Sequence, residues 1–455
     1  MPVTTTDTTT DTVEDAATTA ASVPTSTILN ASWVLLPDGW HQNMAIELGL
    51  DGVIQAVRPS TSAADADILV PGMINAHSHV FQRTLLGKTQ RFQRPEDDFW
   101  SWRTGMYRQA GLLTPKSQEE MAFRAFAEMI SRGYTSVCEF HYTHGASRMD
   151  HGEMPVLMSE AVLRAADRAG IRIRLLPVCY QHAGFGQAAL RAEQRSFGLN
   201  TNVYLQVIEH LVKESDLGPL QGVGYAPHSL RAVSLDTLHA IQDHRNANLP
   251  SAPIHIHIAE QVREVNECVL STRQRPVEYL MNAMSPDASW CLVHATHMTA
   301  DERAKLIASK ATVCLCPTTE GDLGDGLFPL ADYMQEDGHW AIGSDSNVCI
   351  DPAEELRMLD WQQRLVGRKR NPFRFDSAMS ASTRLYQSAL EGGRSASALP
   401  VGRIEAGSHA DFIELDSQVD LSRGCSPDEV LSAWVYSSHP SLMKRVIVGG
   451  SVRQL

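Results

Sequence analysis

The segment PGMINAHSH places His77 and His79 two residues apart at the end of an apolar run. On a strand the side-chain period is two, so both imidazoles leave the same face and can chelate one metal ion. Alone, the pair is equally compatible with hydrogen-bonded core histidines. A second run, PIHIHIAE, carries His255 and His257 on one face, with Glu260 just ahead of a helical pattern. His257 falls nearer the strand end, and His255 is read as a packed residue one pleat deeper. VHATH offers His294 at a third strand end with His297 in the loop beyond it, and GSDS offers Asp345 at a fourth. The convergence of several strand ends is a stronger signal than any one of them. It predicts His77, His79, His257 and Asp345 around one divalent cation, with Glu260 and His294 beside it. Nitrogen and oxygen donors without thiolate suit Zn2+ with a position left for water, and Fe2+ or Mn2+ fit the same donors.

Residues so far apart in the chain meet only if the strands that carry them run side by side. Eight apolar runs, ILVPGMINAH, TSVCEFHY, IRLLPVCY, GVGYAPH, PIHIHIA, WCLVHA, ATVCLCP and WAIGSD, alternate with helical periodicities such as 119–132 and 354–365. That alternation predicts an α/β fold, a (β/α)8 TIM-like barrel over 72–396, with chemistry at the C-terminal strand ends. Short β-type runs with Asp38-Gly39 and Asp51-Gly52 turn signals, and similar runs near the C-terminus, predict a small discontinuous β-sandwich domain from 27–71 and 397–455. Residues 1–26 are rich in Thr, Ala and Asp without large apolar periodicity and are read as a disordered tail.

The 455 residues, 43% hydrophobic and 20% charged, can bury a large core. With Lys+Arg 39 against Asp+Glu 53, the formal charge of -14 argues against nucleic acid or an anionic membrane as the main partner. No apolar run is long enough for a bilayer. The first basic residue is Arg58, so a signal or transit peptide is not indicated and the cytoplasm is expected. Eight Cys without CxxC pairs read as reduced, mostly buried thiols, Cys314 and Cys316 among them. The basic cluster Arg368–Arg370 is read as a solvated loop or subunit contact, and Trp100, Trp102 and Met106 as core or lid packing.

The HxH on strand one, the histidines of strands five and six, the Asp of strand eight and the closing LPVGRIEAGSHADFIELD together resemble the amidohydrolase superfamily. Strand four ends GVGYAPHSL, with His228 and no Lys, which in that superfamily implies one metal rather than two. The HxxE formed by His257 and Glu260 points to its deaminase branch. NAHSHVFQR, DDFWSWRTGMY, EFHYTH, YAPHSLRAVS, HIHIAEQVREV, LVHATH, LGDGLFP and GSDSN are similar to the members that convert N-formimidoyl-L-glutamate to N-formyl-L-glutamate and ammonia in histidine degradation. The resemblance implies His77, His79, His257 and Asp345 as zinc ligands, and Glu260, His294 and Asp345 as catalytic groups. Gln82, Arg103, Tyr142, His228 and Arg231 would contact a small dianionic amino-acid-derived substrate, and the assembly would be a homodimer. Two positions depart from that pattern: Asn347 and Gly145 stand where histidines are expected. The competing readings are a mononuclear-zinc deaminase of a guanine-like or other amidine, and a catalytically inactive metal-binding barrel.

Chemically, a dianion asks for guanidinium groups, which grip carboxylates in bidentate fashion. Arg231, three residues past His228 on the loop after strand four, is placed for that task, though a surface Arg in an ordinary loop is the plainer alternative. Arg103 lies in an aromatic segment that reads as lid or packed loop, and Tyr142 could equally be a core aromatic.

Overall fold

The computed structural model describes residues 26–91, 94–145, 155–215, 217–376 and 379–453. The tail expected over 1–26 lies, Ser26 apart, outside them. Four strands open the chain: β1 (Ser26–Leu36), β2 (Gly39–Gly49), β3 (Ile54–Pro59) and β4 (Ala66–Pro71). Next come β5 (Met73–Ser78), β6 (Tyr134–His141), β7 (Arg172–Cys179), β8 (Gln221–Val223) and β9 (Ala226–Pro227). They are followed by β10 (Ile254–Ile258), β11 (Trp290–His294), β12 (Thr312–Leu315) and β13 (Trp340–Ile342). The chain closes with β14 (Phe412–Leu415), β15 (Met443–Val448) and β16 (Ser451–Arg453).

The terminal strands form one mixed sheet in the order β16-β15-β14-β4-β1-β2-β3. β1 and β2 make an antiparallel hairpin closed between Leu36 and Gly39. At the next turn Gly52 adopts φ +72°, and a Cβ there would lie 2.5 Å from the Gly449 carbonyl oxygen, so the two ends of the chain touch backbone to backbone.

The inner strands form two parallel arcs, β5-β6-β7-β8 with β9 also on β7, and β10-β11-β12-β13. Parallel bridges Tyr225–Ile254 and Ser229–His257 join the arcs at one seam. At the other, Ser78 bridges Asp345, with the Asp345 N–H donating to His77 O (2.9 Å) and the His79 N–H to Asp345 O (2.8 Å). This is the TIM-like barrel architecture the strand–helix alternation predicts. The first predicted strand divides in two: ILVP belongs to β4 of the terminal sheet, and the barrel strand starts after Gly72. A Cβ on Gly72 would meet the Thr135 side chain at 2.2 Å, so the chain crosses between sheets where only glycine fits.

The helix expected over 119–132 spans Pro115–Ser131, because Thr114 and Ser117 form a capping box and Pro115 is preorganised for the first turn. That expected over 354–365 spans Pro352–Gly367, capped by the Asp351 carboxylate. The aromatic segment read as lid or loop is a helix, Phe99–Ala110, capped by Asp98. Barrel and terminal sheet are pinned together by a buried pair: Arg172 Nε lies 2.8 Å from Asp411 Oδ2 and its terminal nitrogen 3.0 Å from Oδ1.

Candidate active site and metal centre

The strand ends around the barrel mouth turn sharply. Ala259, His294, Ala295, Asp345 and Asn347 all have φ between +44° and +70°. Left-handed backbone at non-glycine residues costs of order 1–3 kcal/mol each and persists where surrounding structure enforces it. Here it aims side chains from separate strands at one point.

His77 Nε2 lies 3.1 Å from His79 Nε2 and 3.0 Å from His257 Nε2, and the last two are 3.3 Å apart. Asp345 Oδ1 lies 3.4 Å from His77 Nε2 and 3.2 Å from His79 Nε2. These are not ordinary hydrogen bonds. His79 donates its Nδ1–H to Phe140 O (2.8 Å) and His257 its Nδ1–H to His228 O (3.1 Å), so in the neutral rings Nε2 carries only a lone pair. Burial keeps His257 neutral and pushes His77 down to about 3. Converging lone pairs and one negative charge fit a divalent cation. Tetrahedral zinc with bonds of ~2.0–2.1 Å spaces its ligands about 3.3 Å apart, the spacing these atoms already have. The four residues could therefore hold a metal. The carbonyls of Phe140 and His228 are the outer partners that fix the rings.

Beside this set, His294 Nε2 lies 3.5 Å from Glu260 Oε1 and 3.7 Å from Asp345 Oδ2. Its Nδ1 faces Glu320 Oε1 at 3.1 Å, and the Cys316 N–H donates to the same oxygen at 3.0 Å. Burial would lower His294, yet the surrounding carboxylates Glu260, Glu320 and Asp345 raise it well above the ordinary range. Glu260 moves up to about 7, chiefly because it is buried. Asp325, a further buried carboxyl next to Glu260, is also raised by burial and by the Glu260 charge. Glu320 and Asp325 were not anticipated from the sequence; the first lies in a short helix, Pro317–Leu323, after β12 and the second in the turn that follows it, and neither stretch is long enough to carry a periodic signal.

Gln82, Arg103, Tyr142, His228 and Arg231 line one cavity together with His79, His257, Glu260 and Asp345. Gln82 Nε2 donates to Tyr142 Oη (2.7 Å), leaving its buried Oε1 without a partner among the described residues. His228, kept neutral by burial, packs edge-on against Tyr180, ring centroids 4.6 Å apart. Arg103 donates to Tyr180 Oη (2.8 Å) and to Tyr107 Oη. Arg231 is no surface residue: it is 5% exposed, 3.8 Å from Glu264, and its Nε has no hydrogen-bond partner among the described residues. A buried guanidinium with an unspent donor is suited to an anionic ligand. Arg103 and Tyr107 also line a wider cavity of about 720 Å³, bordered by Arg191 and Arg263.

His255 and His297, the remaining histidines of the strand-end motifs, behave as packing groups. His255 donates to Ala396 O (2.7 Å), one layer below the site, and His297 to Asp325 O (2.8 Å). Cys314 and Cys316 are buried free thiols. Asn347, where a histidine is expected, is fully buried and braces the Asp345 turn through Ser344 Oγ (2.7 Å) and Ser78 Oγ (3.1 Å), its φ of +57° being one asparagine tolerates. Gly145 has φ +70°, which favours glycine over histidine.

Comparison with known proteins agrees with this geometry. The amidohydrolase family model matches residues 68–453. Formimidoylglutamate deiminase of Pseudomonas aeruginosa is 39% identical over 433 residues, covering 92% of this chain and 93% of that protein. A 5-methylthioadenosine/S-adenosylhomocysteine deaminase of Haloquadratum walsbyi is 25% identical over 85% of this chain and 79% of its own length. Among solved structures, an amidohydrolase from Brucella melitensis superposes with a TM-score of 0.85 at 37% identity, covering 93% of this chain and 94% of that one. An adenosine deaminase from Xanthomonas campestris with bound zinc shares the fold, with a TM-score of 0.76 at 21% identity over 94% and 92% of the two chains. A single-cation ligand set on strand ends one, five and eight, inside a match that runs almost from end to end, makes this chain a member of the amidohydrolase family.

Proposed function

We propose that the protein hydrolyses N-formimidoyl-L-glutamate to N-formyl-L-glutamate and ammonia, a step of histidine degradation. The observation that carries this reading is the 39% identity, over 92% of the chain, to a formimidoylglutamate deiminase. The site chemistry supports it: Arg103 and Arg231 line the same cavity as Glu260 and the metal-ligand set, matching a substrate with two carboxylates and one amidine. A guanine-like substrate has no use for two guanidinium groups, which favours the linear dianion over the heterocyclic alternative.

His77, His79, His257 and Asp345 would hold one divalent cation, zinc by their donor set, and it would supply the Lewis acidity that makes water nucleophilic near neutral pH. Arg231 and Arg103 bind the carboxylates and fix the formimidoyl carbon over the strand ends. Gln82, Tyr142 and His228 complete the walls. His294, oriented through Nδ1 by Glu320 and kept charged by the carboxylates around it, aligns the attacking water, and Asp345 helps take its proton. Glu260 pairs with the terminal amidine nitrogen and delivers a proton to it as the tetrahedral carbon collapses. The balance is R–NH–CH=NH2+ plus water to R–NH–CHO plus ammonium. Protonating the other nitrogen would release formamide and glutamate instead.

No helix of the described residues is long and apolar enough to cross a membrane. A cytoplasmic homodimer is the location and assembly we propose, and sedimentation equilibrium checks the latter. The decisive assay is ammonia release from N-formimidoyl-L-glutamate against guanine and cytosine, with metal content measured in parallel. Glu260→Gln is expected to lower kcat by ~10²-fold or more with metal retained, the usual range for losing a general acid. Near-normal turnover in that variant would remove Glu260 from the mechanism, and bound metal without any amidine hydrolysis would favour the inactive barrel.

A further inference from the structure

Asp325 sits in a Gly-Asp-Gly turn whose glycines have φ +71° and +130°. Its position is fixed from several sides. The Asp325 N–H donates to Glu320 O (2.9 Å), His297 Nε2 donates to Asp325 O (2.8 Å), and Gln261 Nε2 donates to Oδ1. A Cβ on Gly326 would stand 3.2 Å from the His297 ring, so the turn packs against the residue that holds it. The remaining oxygen, Oδ2, is buried and has no hydrogen-bond partner among the described residues, in a side chain from a residue only 4% exposed. One carboxylate oxygen each of Asp325 and Glu260 and a ring nitrogen of His294 lie within 4.8 Å of one another. Burial and the Glu260 charge lift this carboxyl to about 9, so a cationic N–H donor beside Oδ2 is what would restore its ionised, accepting form.

We propose that Asp325 is a specificity-determining substrate contact: Oδ2 accepts an N–H of the terminal amidine nitrogen and holds that nitrogen, not the one attached to glutamate, against Glu260. The inference rests on the reading given under Proposed function. The formimidoyl group is a cationic head with several N–H donors, which suits a carboxylate oxygen. The neutral formyl group of the product brings neither a positive charge nor an N–H to that place, so the attraction that holds the substrate head is lost. Asp325 therefore selects the nitrogen that leaves as ammonia and weakens the hold on the product once it has formed.

The test compares wild type with Asp325→Asn and Asp325→Ala, with metal content and thermal midpoint recorded for each. Asp325→Asn is expected to lose about 10- to 100-fold in kcat/KM on N-formimidoyl-L-glutamate, the range for a hydrogen bond to a charged group. Above about pH 9, where the wild-type carboxyl is ionised, the same variant should bind N-formyl-L-glutamate several-fold more tightly by titration calorimetry, because a carboxamide N–H can donate to the formyl oxygen. It should also release a measurable fraction of formamide and glutamate. Asp325→Ala should lose turnover without gaining product affinity. A purely structural role predicts no tightening of the product in any variant, and unchanged product affinity in Asp325→Asn overturns the proposal, as does loss of turnover that follows loss of metal. If wild type releases no ammonia from this substrate, the functional reading and this inference fall together; if wild type is active and Asp325→Asn matches it, only the inference does.

Discussion

Replacing Arg172 by Met isolates what joins the barrel to the terminal sheet. Arg172 and Asp411 are both 2% exposed, and the guanidinium meets the carboxylate through two contacts of 2.8 and 3.0 Å. Met fills much of the volume but leaves Asp411 charged and buried, with the Gly449 N–H at 2.7 Å as its remaining side-chain hydrogen bond among the described residues and Arg453 as the nearby positive charge. Removing one partner of a buried pair costs about 3–5 kcal/mol. For 455 residues, an unfolding entropy of ~2.1 cal/mol/K per residue gives roughly 1 kcal/mol per degree. The thermal midpoint in scanning calorimetry should therefore drop by about 3–5 °C. Arg172→Met combined with Asp411→Leu should recover most of the loss, since an apolar pair of similar volume replaces a well-formed ion pair at little net cost. Arg172 opens β7, at the rim opposite the metal ligands, so kcat of the folded variant should stay within about twofold of wild type. A single variant within a degree of wild type, or a double variant worse than either single one, would refute the reasoning.

Two further outcomes are expected. Glu320→Gln keeps an acceptor for His294 Nδ1 (3.1 Å) and the Cys316 N–H (3.0 Å) but loses the charge; kcat should fall about 10- to 100-fold with KM and metal content little changed, and an unchanged kcat would show that the orientation of His294 does not matter. Burial lifts the Glu139 carboxyl to about 8 while its Oε1 accepts the Val80 N–H. A carboxyl raised in the folded state is protonated there and ionised when unfolded, so its stabilisation is complete at acid pH and is lost as pH rises through about 8. Glu139→Gln should accordingly flatten the decline in denaturant midpoint between about pH 5 and pH 8, and an unaltered pH profile would contradict this.

Much of the barrel is legible because its strands are apolar runs bounded by turn residues, and every predicted run contains a strand. The ligand set is legible for a related reason: period-two spacing and strand-end position together say where His77, His79, His257 and Asp345 point. The split at Gly72 is not legible, because ILVPGMINAH reads as one continuous strand and only the Thr135 side chain forbids anything larger than glycine there. Glu320 and Asp325 are hidden for another reason. Their roles come from what lies across the barrel mouth, His294 and Glu260, and no local pattern encodes a partner dozens of residues away. Arg231 could be placed near the substrate from its loop, but only burial separates a clamp from an ordinary surface arginine.

The seam between β5 and the Asp345 turn carries backbone pairing and cation ligands in the same few residues. His77 and Asp345 are 268 residues apart, so the first leaves the ribosome long before the second. No nascent fragment that stops short of Asp345 can assemble the full ligand set, which defers metal capture until the last barrel strand has been made. A cation held by these four residues would tie the first barrel strand to the last across a seam whose strand pairing is a single bridge among the described residues.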